Sequence, residues 1–148
     1  MIMDRSTLIK EIMTTEVLSV RPTDTMDKVD LIFNTVDIHH IPVISEDRKV
    51  VGIISKSDYF KILHGFTLFK APVSKTYNEA VLRSLLAKEV MTQQVATLHP
   101  EDTVSRAADY FRENRFHAIP IVDDQRKLVG ILSTYDLINS MFKAISKQ

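Results

Sequence analysis

Residues 39–58 read HHIPVISEDRKVVGIISKSD, and residues 117–136 read HAIPIVDDQRKLVGILSTYD. Each stretch is an apolar, β-branched run, a charged turn, a second apolar run with one glycine inside it, and a helix start. Two such runs around a short polar turn predict a β-hairpin, and the Ser-x-x-Asp at its end predicts a helix opening. The two stretches are offset by 78 residues, and the offset extends outward without a gap. Met13-Thr14 meets Met91-Thr92, Pro22 meets Pro100, and Asp24-Thr25 meets Asp102-Thr103. Between Lys10 and Asp58, 19 of 49 positions are identical to their partners, which identifies an internal duplication.

Read outward from the hairpin, one repeat gives the order β-α-β-β-α. Val17–Val20 is a first short strand ended by Pro22, and Thr23 or Asp24 is the expected cap of the next helix. Met26, Val29, Leu31, Ile32, Phe33 and Val36 carry its helical spacing. The second repeat copies this with a strand at 95–98, a helix at 102–113, strands at 118–122 and 128–133, and a helix through Ile145. Residues 1–64 are read as the first repeat, 65–78 as a linker and 79–148 as the second repeat. Within these, 79–89 is helical in character, and 4–11, capped by Asp4 or Ser6, is its N-terminal counterpart. Phe66, Leu68 and Phe69 of the linker are expected to tuck onto the molecule or a dimer partner.

The 148 residues are enough for roughly 70% burial of the unfolded surface, so the chain needs no staples. Each repeat alone would have a marginal core, and two pseudo-symmetric units are expected to bury similar faces against each other. Cysteine is absent, which removes disulfides, thiolate nucleophiles and Cys-ligated metals. Nineteen basic residues balance nineteen acidic ones, against the basic surplus expected of a nucleic-acid binder. No apolar run approaches the ~18 residues that span a bilayer, and no secretory h-region precedes Asp4. A cytoplasmic protein, without membrane insertion, is the expectation.

The ordered set of a hydrophobic-Met-Thr run, Pro with an acidic-Thr pair, His-x-Ile-Pro, and Gly-Ile-[Ile/Leu]-Ser-x-x-Asp resembles the CBS domain, named after cystathionine β-synthase. It occurs twice, as in the CBS pair or Bateman module, and covers nearly the whole chain outside the linker. The chain thus looks like a stand-alone tandem CBS pair. The resemblance implies an α/β (α+β) fold of two β-α-β-β-α repeats packed through their sheets with pseudo-two-fold symmetry. It also implies clefts for an adenosine-containing ligand (AMP, ADP, ATP or S-adenosylmethionine), no required cofactor, and a homodimer.

The same resemblance places Asp58 and Asp136 on ribose hydroxyls, with Ser55, Ser57, Ser133 and Thr134 on ribose or phosphate. Ile38, His39, His40 and Pro42 would line one adenine pocket, and Phe116, His117, Ala118 and Pro120 the other. Thr14, Thr15 and Thr92 would lie over adenine or ribose. Each group also has a reading without a ligand. Ser55-x-x-Asp58 and Ser133-x-x-Asp136 are capping boxes on their own terms. A helix start nevertheless offers free amides that suit phosphate. Histidines at a strand rim can be satisfied locally, and the threonines can serve turns. Adjacent histidines on a strand face opposite ways, so His39 and His40 make a poor metal pair. Lys56 where the second repeat has Thr134, and Tyr135 where the first has Ser57, make the clefts unequal.

Three function classes follow. The first is a regulatory module that senses an adenine nucleotide, and hence energy state, acting on a protein partner in trans. The second is a ligand-free dimerisation or scaffold module. The third, an enzyme, lacks a nucleophile with a base beside it and lacks any Walker or dinucleotide glycine motif. No catalytic residue and no metal ligand is therefore assigned.

Overall fold

The structure is a computed structural model that describes residues 3–65 and 71–146. It divides into two compact units, cut differently from the repeats. One is contiguous, Leu18–Gln94. The other is composite, joining Met1–Val17 to Val95–Gln148. Each contains one two-stranded antiparallel sheet.

In the contiguous unit the elements are α1 (Met26–Thr35), β1 (His40–Ile44), β2 (Val50–Ser55), α2 (Lys56–Gly65), α3 (Ala71–Ser84) and α4 (Ala87–Val90). Strands β1 and β2 form the expected hairpin, with His40 opposite Ser55 and Val43 opposite Gly52. The core gathers Val20, Met26, Val29, Phe33, Ile41, Val43, Ile54, Tyr59, Leu82 and Ala87. In the composite unit the elements are α5 (Val104–Arg112), β3 (Ala118–Val122), β4 (Leu128–Ser133) and α6 (Thr134–Ser146). Ala118 pairs with Ser133 and Ile121 with Gly130 in the same register. Ile9, Leu98, Ala107, Ile119, Ile121 and Leu132 are its buried centre.

Several local expectations are corrected. The first strand of each repeat is reduced to one parallel bridge, Val20 to Val43 and Leu98 to Ile121. The Val20 amide donates to the Pro42 carbonyl (3.1 Å) and the Ile44 amide to the Val20 carbonyl (2.9 Å). Pairing stops there because the chain turns at once: the Arg21 amide donates to the Asp24 carboxylate (2.7 Å), as the His99 amide does to Asp102 (2.7 Å). That turn occupies Asp24, so the N-cap of α1 is Thr25, and the cap of α5 is Thr103, whose hydroxyl accepts from the Arg106 amide.

Helix α3, Ala71–Ser84, takes in part of the segment read as a linker, 65–78. The helical stretch read at 79–89 is broken at Leu85-Leu86. There the backbone turns to pair with α1: the Met26 amide donates to the Leu85 carbonyl (2.8 Å) and the Ala87 amide to the Asp24 carbonyl (2.8 Å). Residues 7–12 do the same in the composite unit. The Val104 amide donates to Thr7 (2.8 Å) and the Ile9 amide to Asp102 (2.9 Å), but only a 3-10 turn, Ile9–Glu11, forms. Asp4 bonds the Ser6 amide and hydroxyl and starts no helix. Phe66, Leu68 and Phe69 lie outside the described residues.

The glycines in β2 and β4 are close approaches. A Cβ on Gly52 would sit 2.4 Å from the Met91 Sδ, and one on Gly130 would sit 2.7 Å from the Met13 Sδ and 3.0 Å from the Thr14 carbonyl oxygen. Gly52→Ala is therefore expected to lower stability by about 1–3 kcal/mol through overpacking, read as an earlier urea midpoint. An unchanged midpoint would show that Met91 swings away freely.

Candidate functional site

Beside each glycine, the residue after the methionine docks on the hairpin edge. In the contiguous unit the Thr92 amide donates to the Ile53 carbonyl (2.9 Å) and the Ile53 amide to the Thr92 carbonyl (3.1 Å). In the composite unit Thr14 and Ile131 exchange the same two bonds, both 2.9 Å. Each threonine thus sits two residues along the strand from a candidate serine. The partnership crosses the repeats: Thr92 joins Ser55 and Asp58, and Thr14 joins Ser133 and Asp136. Reading each repeat as a contiguous set hides this pairing. Both repeats carry their own Met and Gly, so the sequence alone does not tell which methionine covers which glycine.

The Ser-x-x-Asp motifs form reciprocal capping boxes in both units. The Asp58 amide donates to the Ser55 hydroxyl (3.0 Å), and the Ser55 amide donates to Oδ2 of Asp58 (3.3 Å). Asp136 and Ser133 match this at 3.0 and 2.9 Å. The histidine segment closes the same corner. The Lys56 amide donates to the His39 carbonyl (2.8 Å) and the Thr134 amide to the His117 carbonyl (3.0 Å). So two of the first three amides of each helix are claimed, leaving those of Ser57 and Tyr135 outside the cap. The box uses one oxygen of each aspartate, and both carboxylates are only half-buried. What converges is a threonine on an exposed edge, a capped helix start and a half-buried carboxylate. That set suits a polyhydroxylated ligand with vicinal hydroxyls, because a carboxylate oxygen accepts from hydroxyl donors.

The remaining candidates divide by exposure. His39, His117, Ser57, Thr14, Thr15 and Thr92 are exposed, and Ile38, His40, Phe116 and Thr134 half-buried. Pro42, Pro120 and Ala118 are buried. The proline side chains therefore offer no surface, and the Pro42 and Pro120 carbonyls already accept from Val20 and Leu98. Phe116 meets Tyr110 edge-on at 6.2 Å between ring centres, whereas its counterpart is the aliphatic Ile38. Lys56 lies over the Phe60 ring, 5.9 Å from its centre. Among the described residues no group of three His, Asp or Glu side chains is placed to hold a metal.

Sequence reasoning missed Tyr59, next to Asp58. Its hydroxyl is hydrogen-bonded to Asp30 and Asn34 of α1, and its ring meets Phe33 at 5.3 Å. Burial first, and then the Asp30 bond, push the phenol up to about 12. The second repeat has Ala108, Arg112 and Leu137 at these places, so the polar anchor of α2 is particular to the contiguous unit.

The sequence pattern of the CBS domain family matches residues 9–65 and again 87–143. An uncharacterised protein of Methanocaldococcus jannaschii is 31% identical, over 90% of either chain. The CBS domain of a CBS domain containing membrane protein from Sphaerobacter thermophilus superposes with a TM-score of 0.76 at 34% identity, over 91% of this chain and 88% of that one. The CBS domain pair of protein MJ0100, solved with 5'-methylthioadenosine and S-adenosyl-L-methionine, gives a TM-score of 0.72 at 25% identity, over 90% and 98%. Other relatives are much longer: the chain spans 23% of the homoserine O-acetyltransferase of Methanohalobium evestigatum, at 23% identity over 88% of this chain. No described helix is long and apolar enough to cross a membrane.

Removing the caps tests the geometry without any ligand. Ser55→Ala and Ser133→Ala are each expected to cost about 1 kcal/mol in urea unfolding, the value of a lost N-cap. A loss below a few tenths would mean that these serines do not hold the helix starts.

Proposed function

The chain belongs to the CBS domain family, and we propose that it is a regulatory module that binds an adenosine-containing ligand and acts on a protein partner in trans. The observation that carries this reading is the capped carboxylate. In both units Asp58 or Asp136 is pinned by its serine beside a docked threonine, with one oxygen outside the cap. Vicinal ribose hydroxyls suit that oxygen, and the neighbouring amide of Ser57 or Tyr135 suits a polar 5' group. The ligands of the MJ0100 pair are both adenosine thioethers or sulfonium relatives, which supports the same ligand class here. Ile38, His39 and His40, or Phe116, His117 and Ala118, would flank the base. Phe116, already held by Tyr110, offers the better stacking surface. Coupling to the partner follows from the ligand favouring one arrangement of the protein over another, with no catalysis by the chain.

Thermal unfolding against AMP, ADP, ATP and S-adenosylmethionine, with guanosine nucleotides as controls, tests the ligand class. A ligand at about 100 times its dissociation constant adds ~2.7 kcal/mol of stability, a shift of several degrees. Asp58→Ala and Asp136→Ala are expected to weaken binding at their own unit by about 1.5–3 kcal/mol, roughly 10- to 150-fold in affinity. Full affinity in both variants would remove these carboxylates from the site.

A homodimer accompanies this reading, and also the alternative of a ligand-free scaffold. Helix α6 exposes Tyr135 (72%), Ile138 (54%), Met141 (48%) and Phe142 (67%) at helical spacing. Covered by a second copy, these side chains would remove roughly 500 Å² per chain, most of the ~800 Å² per partner of a standard interface. Wild-type protein is expected to sediment as a dimer and Ile138→Glu with Phe142→Glu as a monomer. A monomeric wild type would end the dimer reading without touching the ligand reading.

A further inference from the structure

Most identities between the repeats have a described task. Glu11 and Glu89 cap short turns, the methionines cover glycines, and Asp24 and Asp102 hold the bend after the bridge. The hairpin tips are different. Ser45-Glu46-Asp47 has become Asp123-Asp124-Gln125, three changes in three residues, yet Arg48-Lys49 and Arg126-Lys127 are the same. Both arginines stand in the left-handed region, with φ of 67° and 66°. Gly, Asn or Asp fills that conformation at lower cost, because an L side chain crowds its own backbone there. The backbone does not require arginine, and two diverged tips nevertheless carry it.

Both tips have the same backbone geometry. The Arg48 amide donates to the Ser45 carbonyl and the Ser45 amide to the Lys49 carbonyl, both at 2.9 Å. Arg126, Asp123 and Lys127 repeat these bonds at the same lengths. Three of the four acids of the tips are engaged locally, and Glu46 is exposed. Asp47 takes the Ser45 hydroxyl and pairs with Lys49 at 3.5 Å. Asp123 accepts the Gln125 and Lys127 amides, and Asp124 pairs with His99 at 2.9 Å. Arg48 and Arg126 are exposed, and among the described residues no ion pair or hydrogen bond reaches either guanidinium.

We propose that each hairpin tip is a preorganised cationic docking point, Arg48 in one unit and Arg126 with Lys127 in the other, for an acidic segment of a partner protein. Guanidinium suits a carboxylate by its paired donors, and a fixed turn reduces the ordering cost of the contact. The zero net charge of the chain favours a short acidic peptide over a nucleic acid, which needs a broad basic field. This surface does not depend on the nucleotide reading.

The test uses the full chain, a fluorescent poly-glutamate peptide of about twenty residues, and an oligonucleotide of equal charge, at low ionic strength. Arg48→Gly with Arg126→Gly is expected to raise the melting temperature by relieving the left-handed strain, so the variant remains folded. It should weaken peptide binding about fivefold or more. Arg83→Gln with Lys88→Gln, which removes the same charge from exposed helix positions, should leave binding near the wild-type value. The proposal is overturned if the wild type does not bind the peptide, if both double variants lose affinity equally, or if the oligonucleotide binds more tightly.

Discussion

Everything in this protein hangs on covering the edges of two small hairpins. A two-stranded sheet is marginal alone, and its outer backbone groups must be paired or solvated. Here each hairpin is closed on both sides by single residues: Val20 and Thr92 flank β1 and β2, and Leu98 and Thr14 flank β3 and β4. Where Thr92 and Thr14 dock, the preceding Met91 and Met13 side chains lie over Gly52 and Gly130, which leave no room for a Cβ.

That constraint also builds the candidate site. The segment that seals an outer edge brings its threonine near the capped helix start at the end of the same strand. Because the sealing segment comes from the other repeat, neither repeat holds a complete set. The structural role and the proposed ligand role share residues here: Asp58 and Asp136 hold their helices through one oxygen and leave the other outside the box. The serine caps and the proposed ribose contact are therefore compatible readings of one geometry.

The two units are unequal despite the shared frame. Tyr59, Asp30 and Asn34 tie α2 to α1 in the contiguous unit, where the composite unit has Leu137, Ala108 and Arg112. Phe116 replaces Ile38 and Thr134 replaces Lys56. The proposed site therefore presents different side-chain chemistry in each unit, on the same backbone plan.

The sequence by itself determined the duplication, both hairpins and the helices that follow them, because apolar β-branched runs, a short polar turn and Ser-x-x-Asp are local signals; the registers, each with an irregularity after Val43 or Ile121, came from the structure. It also pointed to the candidate serines and aspartates, since a capping box spans only four residues. The tertiary structure alone decided which threonine joins which cap, the burial of Pro42 and Pro120, and the anchoring of Tyr59. It also reduced the expected first strands to single bridges, because the Asp24 and Asp102 bends end the pairing at once. Apart from those two bends, which are bonds between residues three apart, these features depend on contacts between residues far apart in the chain, and no local pattern of side chains encodes the distance between them.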